Sequence, residues 1–259
     1  MGKIFVIHGV DHKVGTTMLA QSIAQAVSNS FPSKRILLLF LNGRKSTEYI
    51  KEETGSIENI KIRLDNMMID GSEVESFSLR RGNLFILAGI GKMEDERYYL
   101  PENAEYLLTE IRNNFDLIIV DSGNNLDNGL AIGSLRHSEN RILVISQQES
   151  ALKRYEELIP TYSMLGFEFK RFLINKFFTD DPYDQEYITK RLKIDKSKAQ
   201  FIKQNNNYRL AEASNKSLLE FKDDIYSKDI LDISNWMLQV AGLDKINKLK
   251  RNKKWISFI

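Results

Sequence analysis

Short apolar runs alternate with longer amphipathic segments along most of the chain. "KIFVIHG" (3–9), "RILLLFLN" (35–42), "NLFILAGI" (83–90), "DLIIVDSG" (116–123), "RILVISQQ" (141–148) and "FKRFLINKFF" (169–178) predict strands. "TTMLAQSIAQAVSN" (16–29), "AEYLLTEIRNNF" (104–115) and "ALKRYEELIPTYSMLG" (151–166) predict helices, the last interrupted at Pro160. Nearly continuous apolar strands are expected where both faces of a sheet are covered. Their alternation with helices predicts an α/β fold, a mostly parallel twisted sheet with helices on both faces. Right-handed crossovers bring every strand's C-terminal end to one edge, where ligands of such sheets bind. Residues just after the strands are therefore the candidates for chemistry.

No repeat, low-complexity block or Pro/Gly/Ser-rich linker divides the 259 residues. One domain is expected over 1–242, followed by a tail over 243–259. "KINKLKRNKKWISFI" carries six basic residues and no acidic one, against a net charge of +2 for the whole chain. The remainder is thus slightly acidic, which disfavours nucleic acid as a partner of the body. On a helix, Ile246, Leu249, Ile256 and Ile259 fall near one stripe, with Trp255 and Phe258 beside it. Lys250, Arg251, Lys253 and Lys254 flank them. Such a segment suits an anionic membrane surface; a frayed terminus, packing of Trp255 and Phe258 on the body, and contact with nucleic acid are the alternatives.

There is no cysteine, which excludes disulfides, a cysteine nucleophile and a thiolate metal site, and fits a reducing compartment. "MGKIFVIHGV" has too short an apolar run for a signal peptide. No stretch of about 18 apolar residues is present to span a bilayer. A soluble, cytoplasmic protein is expected, peripheral at the inner face of the membrane if the tail binds lipid. His8 and His12 are four apart but straddle a strand and a loop, so helical metal-ligand spacing does not apply.

The loop after the first strand, "HGVDHKVGTT" (8–17), has the outline of a phosphate-cradling loop. Such a loop reads G-x-x-x-x-G-K-[ST] between strand and helix. Its backbone N–H groups face the phosphates, its lysine neutralises charge and its hydroxyl binds Mg²⁺. Anchored on Gly15, the frame puts Val10 at the first glycine, Thr16 at the lysine and Thr17 at the Mg²⁺ hydroxyl, with Gly9 one residue early. Gly15 as a plain turn glycine, with Thr16 or Thr17 as a helix cap, is the competing reading. Further along, "FDLIIVDSG" ends in Asp121, in the form of a Walker B carboxylate for Mg²⁺. "FLINKFF" places Asn175 at a strand end, where an amide can reach an adenine edge or merely form a turn.

In order and spacing these pieces resemble the MinD/ParA superfamily of deviant-Walker P-loop ATPases, and within it the CpaE/TadZ branch. "HKVGTTMLAQSIAQAV" is similar to that branch's helix start, "FLINKF" to its adenine segment and "YRLAEASNKSLLEF" to its terminal segment. The resemblance implies a P-loop NTPase fold, with ATP or ADP and Mg²⁺ as cofactors. It implies nucleotide contacts from Lys13, Val14, Gly15, Thr16, Thr17 and Asn175, and Mg²⁺ at Thr17 and Asp121. A homodimer and protein partners in a pilus, secretion or positioning system are also implied. No receiver-like domain is expected ahead of the sheet, because the first strand begins at residue 3.

The departures concern charge. The family's signature lysine is Asp11 and its loop lysine is Thr16. Its switch I acidic pair is Phe40 and Asn42, and its proline near the adenine is Lys203. Each charge-assisted phosphate contact contributes roughly 1.5–3 kcal/mol. Losing two weakens binding by roughly two to four powers of ten. Lys13 and His12 are partial substitutes or simply exposed loop residues. Phosphoryl transfer depends on positioned charge, and Asn42 lacks the carboxylate at the catalytic position, so at most a weak ATPase is expected. The resulting expectation is a degenerate nucleotide-binding protein acting as a localisation or assembly factor. An active ParA/MinD-type ATPase and a nucleotide-free scaffold are its rivals.

Overall fold

The computed structural model describes residues 1–249. Strands β1 (Lys3–Gly9), β2 (Ile36–Phe40), β3 (Leu79–Arg81), β4 (Leu84–Leu87), β5 (Leu117–Asp121), β6 (Asn140–Ser146), β7 (Arg171–Phe177) and β8 (Ala199–Lys203) form one sheet. Its order is β3-β4-β2-β5-β1-β6-β7-β8. All neighbours are parallel except β3, which runs antiparallel to β4 at the edge. The central strands are apolar without alternation because they are covered on both faces; every residue of β2 and β5 is buried. The predicted mostly parallel α/β sheet is the observed one.

Helix α1 (Thr16–Ser30) follows β1, and twelve of its residues are buried. That exceeds one amphipathic stripe because α9 (Asp224–Ala241) lies against its outer side. The Tyr226 hydroxyl of α9 donates to Ser22 Oγ of α1 at 2.9 Å within the core. The remaining helices are α2 (Lys61–Asp65), α3 (Gly71–Phe77), α4 (Pro101–Ile111), α5 (Gly129–His137), α6 (Glu149–Met164), α7 (Gln185–Arg191) and α8 (Tyr208–Ala213). The expected interruption at Pro160 does not occur: α6 runs on to Met164. Proline removes the N–H that would bond the carbonyl four residues back, and here both Pro160 and Glu156 are exposed, so solvent can serve that carbonyl.

The chain just beyond α9 stays in contact with the body. Gly242 ends α9 with φ +71°, but Ile246 beyond it is buried. Its N–H donates to Asn235 Oδ1 at 2.7 Å, and Asn235 Nδ2 donates back to its carbonyl at 3.0 Å. The expectations for Lys250, Arg251, Lys253, Lys254, Trp255, Ile256, Phe258 and Ile259 lie outside the described residues. Among the described residues no helix is long and apolar enough to cross a membrane.

Candidate nucleotide-binding site

The chain between β1 and α1 turns at the C-terminal edge of the sheet. The loop is tied to both neighbouring strands: Gly9 N–H donates to the Gly123 carbonyl at 2.6 Å, and Val10 N–H to the Val144 carbonyl at 2.9 Å. Val10 and Val14 point into the core, so the loop is a packed element and not a free arm. Gly15 has φ +98°, and a Cβ there would lie 2.3 Å from Asn175 Nδ2. Both its backbone and its space demand glycine. Gly9, which sits one residue early in the motif, still has a steric role: a Cβ on it would fall 2.4 Å from Thr16 Oγ1. Helix α1 begins without a side-chain cap and with no acidic residue in its first turn. Its first amides therefore remain open to an anion.

Asp121 closes the other side. It is fully buried, and its Oδ2 accepts from Thr17 Oγ1 at 2.6 Å and from Asn42 Nδ2 at 3.0 Å. Its Oδ1 accepts from Gly123 N–H at 2.9 Å. Burial pushes the carboxyl up to about 6, against the pull of these three hydrogen bonds. Asn42 also donates to Ser46 Oγ at 2.7 Å. An aspartate at 42 would set a second carboxylate against Asp121, repulsive until a cation lies nearby; the amide makes the pair compatible without one. Phe40, at the first switch I position, is fully buried and in register with Asp121. There it is a core residue. Among the described residues no cluster of three or more His, Asp and Glu side chains could hold a metal. Mg²⁺ here would take Thr17 and Asp121 and depend on phosphate oxygens and water for its other ligands.

The structure brings Gly15, Thr17, Asp121 and Asn175 to one rim. One N–H of the Asn175 amide nitrogen is engaged by the loop. That nitrogen donates to the Val14 carbonyl at 2.7 Å, inside the protein. Lys13 is exposed with φ +58°, and its own carbonyl is taken by Lys176 Nζ at 2.5 Å. Sequence reasoning passed over Lys176, whose only signal is its place directly after Asn175. His8, weighed in the sequence only as a metal ligand, is a fully buried core residue. Ser122 Oγ lies 3.2 Å from the Ile7 carbonyl, to which it donates, and 3.0 Å from His8 Nδ1. The His8 Nε2 is buried without a partner. Burial lowers His8 to about 4, a little offset by the Ser122 contact.

Sheet order, cradle and Thr17–Asp121 pair together define an α/β fold of the P-loop NTPase class. Solved structures of the same architecture include ParA- and MinD-family ATPases. The ParA-family ATPase of Chlorobium tepidum TLS superposes with a TM-score of 0.79 at 18% identity, covering 90% of this chain and 99% of that one. MinD of Pyrococcus horikoshii OT3, complexed with Mg-ADP, gives 0.74 at 14% identity over 93% and 98%. MinD from the MinC:MinD cell division complex of Aquifex aeolicus gives 0.71 at 16% identity over 96% and 99%. At such identities the likeness is one of architecture. No family model matches the sequence, and no curated protein does.

Proposed function

We propose that the chain is a positioning protein of the ParA/MinD type that binds ADP or ATP with Mg²⁺ weakly and hydrolyses ATP slowly or not at all. One observation carries this reading: the Thr17–Asp121 contact of 2.6 Å persists at the edge, while Asp11 and Thr16 stand at the two lysine positions. The Mg²⁺ half of a nucleotide site is kept and the phosphate-neutralising half is lost. A scaffold that bound no nucleotide would gain only the three hydrogen bonds that Asp121 accepts. A fully buried carboxyl held at about 6 costs stability, and such groups concentrate at functional sites.

The MinD of Pyrococcus horikoshii was solved with Mg-ADP, and that of Aquifex aeolicus with MinC. A like nucleotide and a protein partner are the expectation for this chain, with a homodimer as a further state. The CpaE/TadZ-like motifs suggest localisation or assembly of a membrane-associated machine, such as a pilus or secretion system. Titration with MgADP should give saturable binding in the range of about 10 µM to 1 mM, on the order of 4–7 kcal/mol. Phosphate release should stay below about 1 s⁻¹, under the ordinary enzyme range. Faster turnover would defeat the weak-ATPase reading and favour an active ATPase. The exposed Lys13, for which no ion pair is found among the described residues, is the observation on that side.

The basic tail is the proposed contact with an anionic membrane. Because Ile246 is built into the body, the informative truncation ends at Leu249, not at Gly242. Four cations at about 1 kcal/mol each should make the full chain sediment with anionic vesicles while the shortened chain stays in the supernatant. Equal pelleting would remove the membrane assignment.

A further inference from the structure

β7 does not end as a regular strand. Its pairing with β8 slips between Ile174 and Phe177, and inside the slip Lys176 adopts φ +55°. Left-handed backbone at a non-glycine residue costs about 1 kcal/mol or more, and bulges beside functional sites re-aim side chains. Here the re-aimed group is an ammonium, which donates to the Lys13 carbonyl at 2.5 Å. The residue before it, Asn175, donates to the Val14 carbonyl at 2.7 Å. Two consecutive carbonyls of the loop are thus held by two consecutive residues of one strand. The contact persists although Lys176 is half-buried and has Lys13 as a cationic neighbour. Burial first, then Lys13, draws its ammonium below the usual lysine range, with Tyr208 and Glu212 of α8 opposing.

Strand spacing sets how far this contact lies from the Mg²⁺ residues. β5, which carries Asp121, and β7 are separated by β1 and β6, three intervals or roughly 14 Å. A nucleotide that keeps its Mg²⁺ at Thr17 and Asp121 and follows the loop toward β7 would bring its nucleoside to this contact. Lys176 reaches the loop, but its ammonium is engaged there by the Lys13 carbonyl, three residues before Thr16.

We propose that Lys176 is a positioning residue that, with Asn175, clamps the loop from the β7 side, so that the cradle is formed before a nucleotide arrives. A preformed cradle spares the ordering cost of binding, which matters most where phosphate charge contacts are missing. Only this last step rests on the nucleotide reading; the clamp itself does not.

Limited trypsin digestion tests the clamp without nucleotide. The Lys13–Val14 bond joins an exposed residue to a buried one, so cleavage needs the loop to open, and its carbonyl is the atom that Lys176 holds. Cleavage rates at such sites follow the population of the opened segment. Lys176→Met should raise cleavage at this bond at least about tenfold relative to cleavage after the exposed Lys196. Lys176→Arg, which keeps a donor, should stay within about threefold of the unaltered protein. Equal rates in Lys176→Met and the unaltered chain overturn the clamp. On the same proteins Lys176→Met should weaken MgADP about tenfold; unchanged affinity overturns its role in preparing the cradle. If the unaltered chain binds no MgADP, the nucleotide reading falls, and the digestion still decides the clamp.

Discussion

Thr16→Lys is expected to tighten MgADP binding by roughly ten- to a hundredfold. One charge-assisted phosphate contact contributes roughly 1.5–3 kcal/mol, and each 1.4 kcal/mol is a factor of ten. Thr16 is nearly buried, with its hydroxyl turned toward Gly9. A lysine leaving the same Cβ would run along the inner wall of the loop toward the anion. The architecture around it is already present: a glycine cradle, an uncapped helix start and the Thr17–Asp121 pair. Calorimetric titration of the variant beside Thr16→Ala separates added charge from lost hydroxyl, because the alanine form should bind like the unaltered protein. Hydrolysis should stay slow, since the lysine does nothing for the neutral Asn42. An affinity unchanged by the lysine would mean that no phosphate lies along this loop.

The parallel sheet was legible because burial on both faces writes itself into composition. β1, β2, β5, β6 and β7 are runs of Ile, Leu, Val and Phe with few polar interruptions. β3 and β8 escaped because an edge strand is short and covered on fewer sides; β3 spans three residues reading "LRR". α9 carried its own signals, an Asp223 cap that accepts from Tyr226 N–H and Gly242 at its end, but lay past the motifs that drew attention. The convergence of Gly15, Asp121 and Asn175 followed from topology once the strands were placed. What each side chain does there did not follow. Asn175 has the right position for a base contact, yet its amide nitrogen faces the loop, because Val14 presents a carbonyl that burial leaves in need of a donor. Lys176 acts through a slip in strand register, and a slip has no signature in residue types alone. Asn42 looked like a loss in the linear motif. In space it is the donor that lets Asp121 remain buried.

That buried carboxyl has a counterpart in His8, and the two pull the acid response of the fold in opposite directions. His8 drops from 6.5 to about 4 in the folded chain. A depressed pKa contributes stability at neutral pH that is lost as pH falls from 6.5 toward 4. Asp121 rises from 3.8 to about 6. A raised pKa works the other way: its contribution is present at low pH and is lost as pH climbs through 6. Between pH 6.5 and 4.5 each is worth about 2 kcal/mol at about 1.4 kcal/mol per pKa unit, and the signs oppose. The two nearly cancel in the unaltered protein. The groups around His8 are Ser122, which holds its Nδ1, and Tyr162, whose ring stands edge-on to it; burial, not a charged neighbour, sets its value. His8→Phe keeps an aromatic ring against Tyr162 and removes the proton site. Relative to the unaltered chain, it should gain about 2 kcal/mol on going from pH 6.5 to 4.5, leaving Asp121 unopposed. Asp121→Asn should lose about as much over the same interval, leaving His8 unopposed. Urea unfolding of the three proteins at both pH values, in chelator so that no metal competes for Asp121, gives the differences directly. Parallel pH responses in all three would show that neither group is buried as described, and would remove the hydrogen-bonded Thr17–Asp121–Asn42 arrangement on which the nucleotide reading rests.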